Sequence, residues 1–166
     1  MRVSIDPQGE VLTSSNHNLD GYWEQPEETA RVTEGGTFHT GDGGYLDEDG
    51  YLVISDRKKD VIISGGENVS SIEVEDALMS HAGVREVAVI GIPDEKWGEL
   101  ITALVVPASG EVTAEELVAH CRTWLAGYKC PKRIDFVDEL PRTATGKLQK
   151  FKLREPFWAG QDRQVH

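Results

Sequence analysis

The first forty residues carry few apolar side chains in no clear period, whereas the rest of the chain falls into short apolar blocks. An Asp-Pro-Gln-Gly turn at residues 6–9 precedes a strand-like run at Val11 and Leu12. An acidic helical start follows Pro26, a residue suited to the first helical position. So little apolar surface does not close a core, and this stretch is expected to lean on other chain. From Gly44 the pattern sharpens. Gly44-Tyr45-Leu46 and Tyr51-Leu52-Val53-Ile54 flank Asp47-Glu48-Asp49-Gly50, which predicts a β-hairpin. Asp56-Arg57-Lys58-Lys59-Asp60 then interrupts the apolar pattern with five consecutive charges, a predicted surface junction and domain boundary.

Beyond the junction, strand and helix patterns alternate. Residues 61–64 predict a short strand ending in Gly65-Gly66, and 71–80 a helix capped by Ser71, with Ile72, Val74, Ala77 and Leu78 on one face. Residues 84–92 and 100–106 are β-rich runs closed by Pro93 and Pro107. Residues 113–125 predict an amphipathic helix with Thr113 as N-cap, Glu116 at the third position, and Leu117, Val118, Cys121, Trp124 and Leu125 as its apolar residues. A last strand is predicted at 134–137 and a final helix from near Gly146. This alternation is that of a small α/β or α+β unit.

With 166 residues, 39% of them hydrophobic and 28% charged, the chain can bury one ordinary core, or a small domain with part of another. No apolar run approaches the roughly 18 residues of a membrane span, and the first residues lack a basic-then-apolar leader. No transmembrane segment is therefore expected. Cys121 and Cys130 are expected to be reduced, in a cytoplasmic protein. The net charge of −12 is uneven: residues 1–55 set two arginines against eleven acids, and the remainder fifteen basic residues against eighteen acids. Residues 141–154 hold Arg142, Lys147, Lys150, Lys152 and Arg154 with no acid, which suits a phosphate-bearing ligand or a solvated helix end. So narrow a basic segment argues against nucleic acid as a partner. His120 and Cys121 are adjacent on a predicted helix and point in different directions, so they form no nucleophile pair. The five histidines lack ligand spacing, and no metal site is predicted.

Four segments offer chemistry. In Phe38-His39-Thr40-Gly41-Asp42, the carboxylate of Asp42 follows a glycine in a polar turn, placed to accept from ribose hydroxyls or merely to close an Asx-turn. Arg57, within the charged junction, offers a guanidinium fork to ribose or phosphate oxygens, or is one member of a solvated run. In Ser64-Gly65-Gly66-Glu67-Asn68-Val69 the two glycines permit positive φ and close approach of a ligand, or make a simple turn. In Pro141-Arg142-Thr143-Ala144-Thr145-Gly146-Lys147, the lysine is a compact cation on a long stem, suited to charge moving between two sets of oxygens. Its alternative reading is a surface residue at a helix start.

In this order and spacing the four segments resemble the C-terminal third of the adenylate-forming (AMP-binding) superfamily, acyl-CoA synthetases in particular, over about residues 9–158. The resemblance implies an α+β fold, a small mixed sheet with flanking helices. Residues 1–55 would be the β-rich end of a large N-terminal domain and 56–166 a mobile lid, with a solvated hinge at Asp56. By the same resemblance, Asp42 holds the AMP ribose, Arg57 contacts the nucleotide, and Lys147 is the lysine needed for adenylation but not for thioester formation. Gly65, Gly66 and Glu67 line the channel for the pantetheine arm of CoA, and Trp97 and Lys129 lie where relatives approach CoA, or are a core tryptophan and a surface lysine. Ser71 stands where relatives often have proline, and serine is an adequate cap.

The implied function is that of a fatty-acid–CoA ligase using ATP with Mg²⁺, the Mg²⁺ site lying outside this chain, and CoA as co-substrate. The large domain's phosphate loop, its adenine and magnesium motif and its acyl pocket are absent from these residues. That missing domain is therefore the expected partner, and the isolated chain is expected to be inactive. Two alternatives stand beside this reading. One is a lid or interaction module without catalysis. The other is an enzyme activating an acyl or aryl acid for a carrier-protein phosphopantetheine.

Overall fold

A computed structural model describes residues 1–108 and 110–160. The chain divides into two units, Met1–Lys59 and Asp60–His166. In the first, strands β1 (Arg2–Ile5), β2 (Glu10–Ser14), β3 (Phe38–Leu46) and β4 (Leu52–Arg57) form an antiparallel meander, with helix α1 (Pro26–Val32) between β2 and β3. Both tight turns use one device, an aspartate followed three residues later by a glycine. Asp6 Oδ1 accepts from the N–H of Gln8 at 2.8 Å and of Glu10 at 2.7 Å, and Asp47 Oδ1 from Asp49 at 3.0 Å and Tyr51 at 2.8 Å. Among the described residues of this unit only Val11 and Val32 are buried hydrophobics, in line with its sparse apolar pattern.

β3 begins six residues before the predicted hairpin arm. Its first half is polar and glycine-rich, so no period marks it as strand. Its pairing is through backbone, with irregular register beside Glu10 in β2 and beside Gly43 on the β4 side. β4 likewise runs on through Arg57, which pairs with Asp42, so the division falls after Lys59. The charged junction is not a solvated run. Asp56 is 2% exposed and Asp60 9%, because strand pairing carries the first into the sheet and an arginine meets the second.

The second unit contains β5 (Ile62–Ser64), β6 (Glu67–Val69), α2 (Ser71–Met79), β7 (Val84–Asp94), β8 (Gly98–Pro107), α3 (Ala114–Trp124), β9 (Arg133–Phe136) and α4 (Lys150–Trp158). The sheet is mixed, in order β6-β5-β8-β7, with β9 parallel to β8. β7 and β8 pair antiparallel from Val84↔Pro107 to Asp94↔Gly98. Their side chains alternate between two apolar clusters. Val87, Val89, Ile101, Ala103 and Val105 join Val74 and Leu78 of α2 and Leu117 and Cys121 of α3. Ala88, Ile90, Leu104 and Val106 join Leu140 and, from α4, Leu153 and Phe157. Burial on both faces is why these strands read as unbroken apolar runs rather than alternating ones. Glu99 of β8 is buried, accepts from the Ile63 N–H at 3.3 Å, and lies over Gly91, where any Cβ would collide with its carboxylate.

α3 has the predicted capping box: Thr113 Oγ1 accepts from the Glu116 N–H at 3.2 Å, and Glu116 Oε2 from the Thr113 N–H at 2.9 Å. Trp124, expected on its apolar face, is 68% exposed at the helix end with its ring set against His120. α2 is capped by Ser70 rather than Ser71, because Ser70 is the extended residue whose hydroxyl reaches the Glu73 N–H. α4 starts at Lys150, later than predicted, since Gly146 at φ 86° belongs to a tight turn ahead of the helix.

Candidate functional site

Three groups of residues carry the expected chemistry. In the first unit, Asp42 and Arg57 face each other across β3 and β4, with Oδ1 and Nε 3.5 Å apart and both side chains partly open to solvent. The loop leading to Asp42 is held from several sides. Thr40 Oγ1 donates to the Val11 carbonyl at 2.8 Å and accepts from the Asp42 N–H at 3.1 Å. Glu10, 8% exposed, accepts from the Gly41 N–H at 2.9 Å through Oε1. Its Oε2 meets Lys58 Nζ at 3.3 Å and His39 Nδ1 at 3.4 Å. Asp56 Oδ1 accepts from the Arg57 N–H at 2.7 Å.

Burial works to raise the carboxyl of Glu10, but the Gly41 N–H, Lys58 and His39 outweigh it and hold the group below its ordinary value of 4.5. A carboxyl depressed on folding contributes stability above its unfolded value and loses it as pH falls through the folded one. The Tm of the chain is therefore expected to drop on acidification below 4.5, and Glu10→Gln is expected to flatten that limb. Thermal melts across a pH series check this, and an unchanged acid slope in the variant would refute it.

In the second unit, Gly65 and Gly66 form the two-residue turn between β5 and β6, at φ 63° and 85°. Two successive positive φ values make the tight hairpin that matches strand twist. The Gly65 N–H donates to the Trp97 carbonyl at 2.8 Å, and the indole packs so closely that a Cβ on Gly65 would lie 3.0 Å from it. Lys132 Nζ sits 4.4 Å and Lys96 Nζ 4.9 Å from the Trp97 ring centroid. Thus Gly65, Gly66 and Trp97 are brought together, beside two cations. Glu67 is exposed on β6 opposite Ser64. Lys129 is engaged elsewhere, donating to both Glu73 oxygens at 2.7 and 2.6 Å, which raises its pKa.

The third group is the Lys147 hairpin. A bridge joins Arg142 to Leu148, the Thr143 N–H donates to the Lys147 carbonyl at 2.8 Å, and the Gly146 N–H to the Thr143 carbonyl at 2.9 Å. Thr143 Oγ1 also accepts from the Lys147 N–H at 3.1 Å. The five cations of residues 141–154 then separate by role. Arg142 pairs with Glu86 at 2.6 Å, Lys150 with Glu75 at 2.7 Å and Arg154 with Asp60 at 2.7 Å. Lys147 and Lys152 remain exposed and, among the described residues, without an ion pair. Of the two, Lys147 alone sits on this hydrogen-bonded turn.

Glu10 lies in no marked segment, and Lys132 closes the segment Tyr128-Lys129-Cys130-Pro131-Lys132 without a role of its own; only their contacts single them out. Cys121 and Cys130 are both buried. Burial, then the neighbouring Cys130, pushes the Cys121 thiol up to about 11, so it is a packing residue rather than a nucleophile. Among the described residues, no three His, Cys, Asp or Glu side chains gather as a metal site requires, and no helix is long and apolar enough to cross a membrane.

Comparison with known proteins gives a family likeness. Residues 73–147 match the family described as AMP-binding enzyme C-terminal domain. The long-chain-fatty-acid–CoA ligase FadD13 of Mycobacterium tuberculosis is 49% identical over 152 residues, covering 92% of this chain and 30% of the relative. A feruloyl-CoA synthase of Amycolatopsis sp. is 49% identical over 151 residues, covering 90% of this chain and 31% of the relative. The chain thus spans about a third of the length of these curated relatives. Among solved structures, o-succinylbenzoate CoA synthetase from Bacillus subtilis, in complex with its acyl-adenylate intermediate, matches with a TM-score of 0.85 at 36% identity. That match covers 92% of this chain and 33% of the other.

Proposed function

We propose that this chain, a member of the AMP-binding enzyme family through the C-terminal domain at residues 73–147, supplies the lid of a fatty-acid–CoA ligase. In the first half-reaction a fatty-acid carboxylate oxygen bonds the α-phosphorus of ATP and pyrophosphate leaves, giving acyl-AMP. Lys147 meets the negative charge that develops on both partners, while Asp42 and Arg57 hold the ribose. Mg²⁺ enters with ATP as part of the substrate, and no ligand for it is assigned to these residues. The lid then turns about Asp56, whose Oδ1 accepts from the Arg57 N–H at 2.7 Å. In the second half-reaction the CoA sulfur bonds the acyl carbon, the bond to AMP breaks, and the thiol proton leaves to solvent. Gly65 and Gly66 admit the pantetheine arm, Glu67 flanks their turn, and Trp97 with Lys132 offers an aromatic and cationic surface to the rest of CoA. Lys129, held by Glu73, is a further cation for CoA.

The observation that carries the reading is the Lys147 hairpin. Three neighbouring cations are held in ion pairs, and the Lys147 ammonium is left exposed on a hydrogen-bonded turn. The acid is proposed as fatty because FadD13 is so named; an aryl acid is the second reading, favoured by the equal identity to a feruloyl-CoA synthase. Pyrophosphate release is the test. The purified chain alone, given Mg-ATP, fatty acid and CoA, is expected to release none, because it has no phosphate loop, and robust turnover would sink the lid reading. On the protein carrying this chain with its acyl pocket, long-chain acids are expected to outpace hydroxycinnamates, and the reverse order selects the aryl reading.

A further inference from the structure

Glu10 ties together the two ends of the Asp42–Arg57 pair. One carboxylate takes the N–H of Gly41, immediately before Asp42, and the ammonium of Lys58, immediately after Arg57. It also meets His39 on the same strand as Asp42. The need for such a brace follows from the sequence of β3. Gly41, Gly43 and Gly44 stand within four residues, Gly41 has φ 73°, and the register is irregular on both sides of this stretch. A strand segment with so few side chains has little to hold its direction, and bulges of this kind re-aim the neighbouring side chain. Glu10 stands opposite Gly43, is almost wholly buried, and supplies the missing constraint from β2. Thr40 adds a second tie to β2, through the Val11 carbonyl.

We propose that Glu10 is a positioning residue for the nucleotide ribose: it aims the Asp42 carboxylate and sets the Asp42–Arg57 separation without touching the nucleotide. The proposal rests on reading Asp42 and Arg57 as the ribose grip. If that grip accepts ribose hydroxyls, its geometry is felt as discrimination between ATP and 2′-deoxy-ATP. A residue that only stabilises the sheet leaves this ratio alone, since lost folded protein lowers both rates together.

The test measures kcat/KM for ATP and for 2′-deoxy-ATP on the active ligase carrying this chain, comparing wild type, Asp42→Ala, Glu10→Ala and Glu10→Gln. Asp42→Ala is expected to abolish the preference for ATP. Glu10→Ala is expected to lower it about tenfold, the loss of one hydrogen bond to a charged group. Glu10→Gln keeps an acceptor for the Gly41 N–H but loses the charge facing Lys58 and His39, so an intermediate ratio is expected. Should Glu10→Ala fail to fold, the isosteric Glu10→Gln decides. A wild-type ratio in both folded Glu10 variants, with the ratio abolished in Asp42→Ala, overturns the role of Glu10 alone. An unchanged ratio in Asp42→Ala overturns the ribose reading, and the role of Glu10 falls with it.

Discussion

Lys147→Ala is expected to slow acyl-AMP formation about 10²–10³-fold while leaving thioester formation from supplied acyl-AMP within about twofold of wild type. The asymmetry follows from where charge moves. Adenylation transfers negative charge among phosphate and carboxylate oxygens, and a lysine on a fixed turn meets that charge without reorganising. Thioester formation builds charge on a carbonyl and releases AMP, and the proposal gives Lys147 no part in it. The hairpin is held by backbone contacts and by Arg142, whose Nη1 donates to the Gly146 carbonyl at 2.9 Å, so the substitution removes an ammonium and little else. Separate assays of the two half-reactions check this. Equal losses in both would mean that Lys147 supports the fold or binds a group common to both steps.

The largest expected effect on stability lies at α4. Lys150 Nζ donates to Ser71 Oγ and meets Glu75 Oε1, each at 2.7 Å, with side chains 11% and 16% exposed in the ion pair. The same Glu75 oxygen accepts from the Val89 N–H of β7 at 2.7 Å. Glu75→Ala therefore removes the carboxylate from a buried ammonium and the acceptor from a buried amide, at a cost of about 3–5 kcal/mol. Equilibrium urea unfolding measures it. Adding Lys150→Met to Glu75→Ala is expected to recover a good part of the loss, because the stranded charge is then gone. A cost below about 1 kcal/mol for the single change would mean that the pair behaves as an exposed one. Pro141 and Gln149 close the Lys147 hairpin by a 2.8 Å backbone bond just before α4, so loosening this anchor is also expected to reach the lysine.

The fold was legible wherever local rules decide. The Asp-x-x-Gly turns and the capping box at Thr113 and Glu116 depend on residues a few positions apart, and the structure follows the sequence there. Gly65-Gly66 is a turn, as one reading of the pair has it, but it leads into a strand, β6, that the pattern does not mark. Element ends were legible only roughly. A glycine-rich strand shows no period, and a serine beside another serine hides which of them caps. The candidate site was legible as motifs: Asp42, Arg57, Gly65, Gly66 and Lys147 all stand in marked segments, while Glu10 does not.

Residues near in sequence thus settled the Asp-x-x-Gly turns, the capping box of α3, the alternation of elements and the family likeness. Burial of charge was decided by distant partners. Nothing in Asp56-Arg57-Lys58-Lys59-Asp60 foretells that Asp56 is carried into the sheet and Asp60 meets Arg154. Likewise, nothing in the basic run of residues 141–154 says which cations are neutralised. Glu86, Glu75 and Asp60 make that selection from 56, 75 and 94 residues away, respectively. Electrostatics acts through space, and in a chain of mixed charge only the folded arrangement assigns each cation a partner. That assignment leaves Lys147 exposed on its turn.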